Sequence, residues 1–309
     1  MKKMKDNLKT GIFMVLLTLI LALLPVMSWA DEEIVPADPK QGDNASTEVK
    51  PVEQDQPEDK VTGEVAASVL SAYIWRGQEL TRHSVVIQPS VTAAYKGFAA
   101  NVWGNLDTKP YSALDVDYSS NFTETDVTLS YLHKFGILQA GIGYIYYGLA
   151  GAVQGGADLP DSQEVFVMLG LDTILAPTLT VYKEFDYYNQ WYATLGISHT
   201  FALHEKVGLK FAAQASYLRS EDEATYPEFD SASLATTDKF NNLHDGVVSV
   251  SLPIAVTGHL TISPVLTYVF QLSDDAKYEM KARGLKGDID PSDKDGDFLY
   301  GGIVVSYAF

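Results

Sequence analysis

Apolar and polar residues alternate along most of this chain with a period of two. Between 260 and 270 the row Leu260, Ile262, Pro264, Leu266, Tyr268, Phe270 interleaves with Thr261, Ser263, Val265, Thr267 and Val269. Between 207 and 217, Val207, Leu209, Phe211, Ala213, Ala215 and Tyr217 alternate with Gly208, Lys210, Ala212, Gln214 and Ser216. Between 191 and 201, Trp191, Ala193, Leu195, Ile197, His199 and Phe201 alternate with Tyr192, Thr194, Gly196, Ser198 and Thr200. Successive strand side chains point to opposite faces, so each stretch has one greasy face and one small or polar face. From Val61 to Phe309 no stretch shows a convincing helical stripe.

The pattern predicts twelve strands, at 63–76, 84–96, 97–107, 121–134, 136–148, 163–174, 177–186, 189–202, 205–218, 244–255, 258–272 and 297–309. Short turns at Tyr95-Lys96-Gly97, His133 to Gly136, Leu175 to Pro177, Leu203 to Glu205 and Val256 to Gly258 alternate with mostly longer connections. A soluble sandwich would also alternate. Three features favour a membrane barrel instead. The greasy rows often finish in Tyr, Trp or Phe, as interfacial girdles do. The opposite rows are rich in Gly, Ser, Thr and Ala rather than Lys and Glu. Short connections alternate with long ones, as periplasmic turns alternate with extracellular loops. The expected fold is all-β: a transmembrane antiparallel up-and-down β-barrel of about twelve strands over 61–309. An even count puts both termini in the periplasm.

Composition changes the picture in two places. The chain has 309 residues, no cysteine, a net charge of −18 and a mean hydropathy of −0.02. Absent cysteine excludes disulfide scaffolds, thiol nucleophiles and Cys-held metals. The acidity argues against nucleic acid as a partner, because phosphate needs clustered bases. The flat hydropathy excludes a bundle of membrane helices but not a barrel, which averages a greasy face against a polar one.

The N-terminus supplies the compartment. Lys2, Lys3, Lys5 and Lys9 precede an apolar run from Gly11 to Leu24, then Pro25 and Ser28-Trp29-Ala30. Residues 1–30 read as a signal peptide cut after Ala30; the alternative, an uncleaved anchor, has an apolar run shorter than about 18 residues. Residues 31–60 carry ten acids, three bases and four prolines without an aromatic. Such a segment cannot bury enough apolar surface to offset its chain entropy. It is expected to be a disordered acidic linker in the periplasm, either a solvated spacer or a docking tail.

The last strand sets Leu299, Gly301, Ile303, Val305, Tyr307 and Phe309 on one face, and the chain ends on that Phe. This resembles the C-terminal assembly signal of bacterial outer-membrane proteins, with Tyr307 and Phe309 as its residues. That resemblance implies the barrel-assembly machinery as a partner in biogenesis, recognising an open strand edge. The opening hairpin carries Tyr73, Arg76, Gly77, Gln88, Pro89, Gly97, Phe98, Val102 and Trp103, and GIGYIYYG follows at 141–148. These short motifs resemble the TorF-type porins of bacterial outer membranes over about a fifth of the chain. The resemblance implies a porin-like protein without a defined substrate, and the acidic linker departs from it.

If the apolar rows face lipid, the others face the lumen. That places Glu64, Arg76, Gln88, Asn101, Trp103, Asn105, Glu124, Asp126, Gln139, Glu164, Asp172, Glu184, Lys210 and Gln214 inside. Carboxylate rings favour cations over anions. The expected function is a narrow, weakly cation-selective channel for passive diffusion of small hydrophilic solutes in a Gram-negative outer membrane. The alternative is a non-conducting structural or interaction barrel of the cell envelope, whose acids pair with Arg76 and Lys210. Expected partners are outer-membrane lipid, lipopolysaccharide and small solutes, with no cofactor and no metal. An outer-membrane lipase would need a His-x-Ser-x-Gly pattern, which neither His83-Ser84 nor His199 provides. Asp288, Asp290, Asp293, Asp295 and Asp297 invite calcium, but Pro291 and Gly302 break the EF-hand pattern. Two residues break the alternation. Lys183 lies on the lipid row, where it either snorkels or turns inward at a bulge. Arg76 faces either lumenal acids or lipid phosphate.

Overall fold

The computed structural model describes residues 60–81, 84–109, 120–150, 160–283 and 296–309. The signal segment, the acidic linker up to 59, His83 and the acids from Asp288 to Asp295 lie outside the described residues.

Twelve antiparallel strands form the wall: β1 (Thr62–Leu70), β2 (Val86–Tyr95), β3 (Phe98–Asp107), β4 (Asn121–Phe135), β5 (Leu138–Leu149), β6 (Ser162–Leu171), β7 (Thr178–Glu184), β8 (Gln190–His204), β9 (Val207–Ser220), β10 (Asn241–Ser251), β11 (Leu260–Gln271) and β12 (Asp297–Ala308). Each pairs with its sequence neighbours, and β12 pairs with β1. The sheet therefore closes into an up-and-down barrel without a free edge. One end carries both termini of the barrel and short turns. Lys96 and Gly97 there have φ of 49° and 87°. Two positive angles make a type I′ turn, whose twist matches the flanking strands. The other end carries mostly longer connections, the five residues between Glu184 and Gln190 being an exception.

Closure is completed at the turn end. Gly63 and Phe309 exchange both backbone hydrogen bonds, at 2.8 and 2.9 Å. A Cβ on Gly63 would stand 2.7 Å from the Phe309 ring and 2.7 Å from the Thr92 carbonyl oxygen. Only glycine leaves room for the terminal ring to lie across the seam.

The outward row is apolar. Val65, Val91, Val102, Leu129, Val167, Leu195, Leu266 and Ile303 all stand exposed on the wall. At the turn end, aromatic and imidazole rings neighbour one another in Phe98–Tyr131, His133–Phe135, His199–Phe201, Phe201–Phe211 and His259–Tyr307, with centroids 4.4–6.0 Å apart. At the loop end Phe122, Phe185, Tyr187, Trp191 and Tyr217 are exposed. An apolar belt between two aromatic girdles is the surface of a barrel that spans a membrane. Lys183 points outward with β7 unbulged, since Val165 and Trp191 both pair with it in continuous register. It snorkels towards the loop end. Its ammonium pairs with Glu221 at 2.8 Å, donates to Asn189 and lies 5.3 Å from the Trp191 ring centroid.

Three expected strands change. The first ends at Leu70 instead of 76, because the chain turns inward there as a small hairpin, Ile74–Trp75 against Gln78–Glu79. The sixth ends at Leu171, so Asp172 falls in the following turn. The tenth breaks after Ser251; Pro253, lacking an N–H, cannot donate to the ladder, and pairing resumes at Ile254–Ala255. The expected loop 273–296 contains a helix, α1 (Asp274–Ala282). Its Ser273 N-cap accepts from the Ala276 N–H, and Asp274 and Asp275 lie in its first turn.

Candidate functional site

The lumen at the loop end is filled by a polar cluster that the 71–81 segment brings together. This segment leaves β1, yet its side chains reach far around the wall. Tyr73 Oη donates to Glu124 Oε2 on β4 at 2.6 Å. Arg76 Nη2 donates to both Glu164 oxygens on β6, at 2.7 and 2.9 Å, and Nη1 lies 3.9 Å from Glu184 on β7. In a ring of twelve, β7 stands opposite β1. The hairpin therefore crosses the lumen.

Arg76 and Gly77 form its two-residue tip, with φ of 43° and 75°. Positive φ is strained for arginine, whereas Gly77 adopts it freely and lets the Met280 side chain of α1 pack against its backbone. The guanidinium is 2% exposed. Its carbon lies 4.3 Å from the Tyr192 ring centroid, 4.9 Å from Trp75 and 5.4 Å from Tyr182. Arg76 thus faces lumenal acids and not lipid phosphate.

The acids it meets are directly cross-strand: Glu164 pairs with Glu184 in the β6–β7 register, both facing inward. Like charges opposite one another destabilise a sheet unless a cation lies between them. Tyr147 Oη donates to Glu164 at 2.7 Å and Gln190 Nε2 to Glu184 at 2.9 Å, while Ser162 also donates to Glu184. Each carboxylate is thus held by neutral donors as well as by Arg76.

A second set of bonds ties α1 to the wall. A bulge between Ala215 and Tyr217 puts adjacent His244 and Asp245 both inward. The His244 ring bridges Asp245 Oδ1, at 2.8 Å, and Glu279 Oε2 of α1, at 2.9 Å. Tyr192 Oη and Ser216 Oγ donate to Asp245 at 2.9 and 2.7 Å. Tyr226, in the connection after β9, donates to Glu279 at 2.6 Å, and Gln78 Nε2 donates to Glu279 at 3.2 Å. Burial and the neighbouring Glu279 push the Tyr226 phenol well above its usual range, so it remains a donor at neutral pH. Arg283 reaches Glu279 at 3.1 Å and lies 3.8 Å from the Tyr226 ring centroid.

Of the residues singled out from sequence, Arg76, Glu124, Asp126, Glu164 and Glu184 belong to this cluster, and Trp103 packs against Tyr73 with ring centroids 5.7 Å apart. Gln88 donates to Asn105 at 3.1 Å on the neighbouring inner wall, and Asn101 donates to Thr92 at 2.8 Å. Lys210 is buried, and Glu64, Gln139 and Gln214 are half-buried on the inward row, nearer the turn end. Asp172 is the exception. It stands half-exposed in the turn and pairs with Lys134 at 2.7 Å, because the strand stops one residue earlier. Tyr307 and Phe309 are exposed on the outer face. Sequence reasoning named Tyr73 only within the opening motif and missed Tyr147, Tyr182, Tyr226, His244, Asp245 and Glu279. The inward tyrosines of the wall were legible from strict alternation, but Glu279 depends on an unforeseen helix and His244 on a bulge.

No protein-family model matches the chain, and no curated protein matches it. Solved structures with similar outlines include the NanC porin (13% identity, 79% of this chain and 98% of that one, TM-score 0.46) and the KdgM porin (10%, 80% and 99%, 0.46). The COG4313 outer membrane channel from Pseudomonas putida F1 gives 11% identity, 83% and 100% coverage and a TM-score of 0.47. At these values the similarity defines neither a family nor a function.

Proposed function

We propose that this chain is an outer-membrane channel for small hydrophilic solutes that prefers cations, with its constriction at the loop end. The observation that carries this reading is the split between the two faces of the wall. The outer face is apolar, while Glu124, Asp126, Glu164, Glu184 and Asp245 all point inward against Arg76, Lys210 and His244. Carboxylates lining a narrow path attract cations and repel anions. Short turns beside both barrel termini support a reading in which that end, and the acidic linker, face the periplasm of a Gram-negative cell. Exposed Tyr307 and Phe309 at the seam suit recognition by the barrel-assembly machinery, and the outer belt suits lipid and lipopolysaccharide. The TorF-type motifs of the opening hairpin are in keeping with this reading.

One observation favours the second reading, a non-conducting envelope barrel: Arg76 and the 71–81 segment cross the lumen and bind the opposite wall. Planar-bilayer recordings of the refolded barrel in a salt gradient separate the two. Reversal potentials should show cation preference. Anion preference refutes the selectivity, and the absence of current from folded protein favours the second reading.

A further inference from the structure

Arg76 is held as a ligand is held. Of two directly opposed glutamates, Glu164 accepts two hydrogen bonds from Nη2 of its guanidinium and Glu184 lies 3.9 Å from Nη1, and the rings of Tyr192, Tyr182 and Trp75 surround it. Such carboxylate-and-aromatic enclosures recognise organic cations. Glu164, Glu184, Tyr182 and Tyr192 stand on the barrel wall, whereas Arg76 stands on the tip of a hairpin with two-residue arms. Apart from Trp75, the enclosure is thus built into the wall and its occupant into the hairpin.

The fit is incomplete. Arg76 Nε and Nη1 are buried without a hydrogen bond. So is Asp126 Oδ1, on an inward carboxylate 1% exposed. Asp126 pairs in register with Tyr147, whose hydroxyl donates to Glu164, so this carboxyl, which also meets that of Glu124, adjoins the enclosure. A free guanidinium, not tied to a strained turn, could turn its own N–H groups towards acceptors that Arg76 Nε and Nη1 do not reach.

We infer that the loop-end lumen is a binding site for small guanidinium-bearing cations, which Arg76 fills from within the chain and vacates when the 71–81 hairpin withdraws. This deepens the channel reading by naming its solute class and rests on it for the path of entry. Equilibrium binding, however, needs no current.

The test uses the refolded full-length barrel carrying Arg76→Ala, titrated calorimetrically with ethylguanidinium, ethylammonium and neutral ethylurea. Ethylguanidinium should bind at least about tenfold tighter than ethylammonium, because a planar fork matches opposed carboxylates. Ethylurea should not bind. Adding Glu164→Gln and Glu184→Gln should weaken ethylguanidinium at least about tenfold. No binding by folded Arg76→Ala, or an affinity indifferent to the two glutamates, overturns the inference. If Arg76→Ala does not fold alone, refolding it with ethylguanidinium decides: recovered strand circular dichroism supports the site, and no recovery overturns it. Binding without cation-selective current would sink the channel reading and leave the site. Current without binding would do the reverse.

Discussion

Removing the Arg76 side chain should destabilise the barrel by an amount that its partners fix. The Arg76 and Glu164 side chains are 2% and 0% exposed, and Glu184 is 1% exposed. Breaking a buried pair from one side leaves uncompensated charge and costs about 3–5 kcal/mol. Arg76→Ala leaves two opposed glutamates and should fall in that range. Arg76→Gly should cost about 1 kcal/mol less, because it loses the same pair but relieves the strain at φ 43°. Glu164→Gln keeps Glu184 near the guanidinium and a neutral partner in place, and should cost about 1–3 kcal/mol. The double variant Arg76→Ala, Glu164→Gln should cost less than the sum of the singles by about 1–3 kcal/mol. Urea unfolding of the barrel in lipid vesicles, followed by tryptophan fluorescence, measures all four. Strict additivity would refute the pairing, and equal losses for alanine and glycine at 76 would refute the strain.

Other perturbations separate the seam, the outer wall and the loop end. Gly63→Val should cost about 1–3 kcal/mol and lower refolding yield on heat-modifiable electrophoresis, since its side chain collides with the Phe309 ring and the Thr92 carbonyl; an unchanged yield would remove the seam argument. Lys183→Ala should cost no more than about 1 kcal/mol, because its pair with Glu221 is partly exposed; a loss above about 2 kcal/mol would mean that Lys183 is structural. Ser273→Ala should raise amide exchange across Asp274–Ala282 by the equivalent of about 1 kcal/mol, leaving the wall unchanged; protection lost throughout the barrel would show that α1 and the wall unfold together.

The wall was legible because alternation is a wall property. A one-residue slip would invert the whole row, so the face each residue takes from Leu260 to Phe270 follows from side-chain polarity alone. What resisted reading was local and polar. Arg76 sits on the first expected strand because Tyr73, Ile74 and Trp75 continue an apolar run, and only tertiary bonds to β4 and β6 draw that run inward. Ser273, Asp274 and Asp275 do spell a helix start, but nine residues are too few for a stripe to stand out in a chain of strands. The juxtaposition of Glu164 and Glu184 needs the β6–β7 register, which the exposed turn between them sets.

Two rules of stable design fail at the same spot. Inward glutamates directly opposite one another are disfavoured, and so is an arginine at positive φ. Serine or threonine at 164 and 184 would continue the small polar inner row without opposed charges, as Ser162, Thr180 and Thr194 do nearby. Asparagine or glycine at 76 would make the same turn without strain. Neither choice would place a guanidinium between carboxylates across the full width of the lumen. Departures from local preference that coincide, and that partly compensate one another, mark a site shaped by function more than by folding. The hairpin gives that site its asymmetry: withdrawing Arg76 removes a cation from an acidic lumen. The path it opens should therefore be more cation-selective than the one it closes, and Arg76→Ala should raise the cation-to-anion permeability ratio measured by reversal potential.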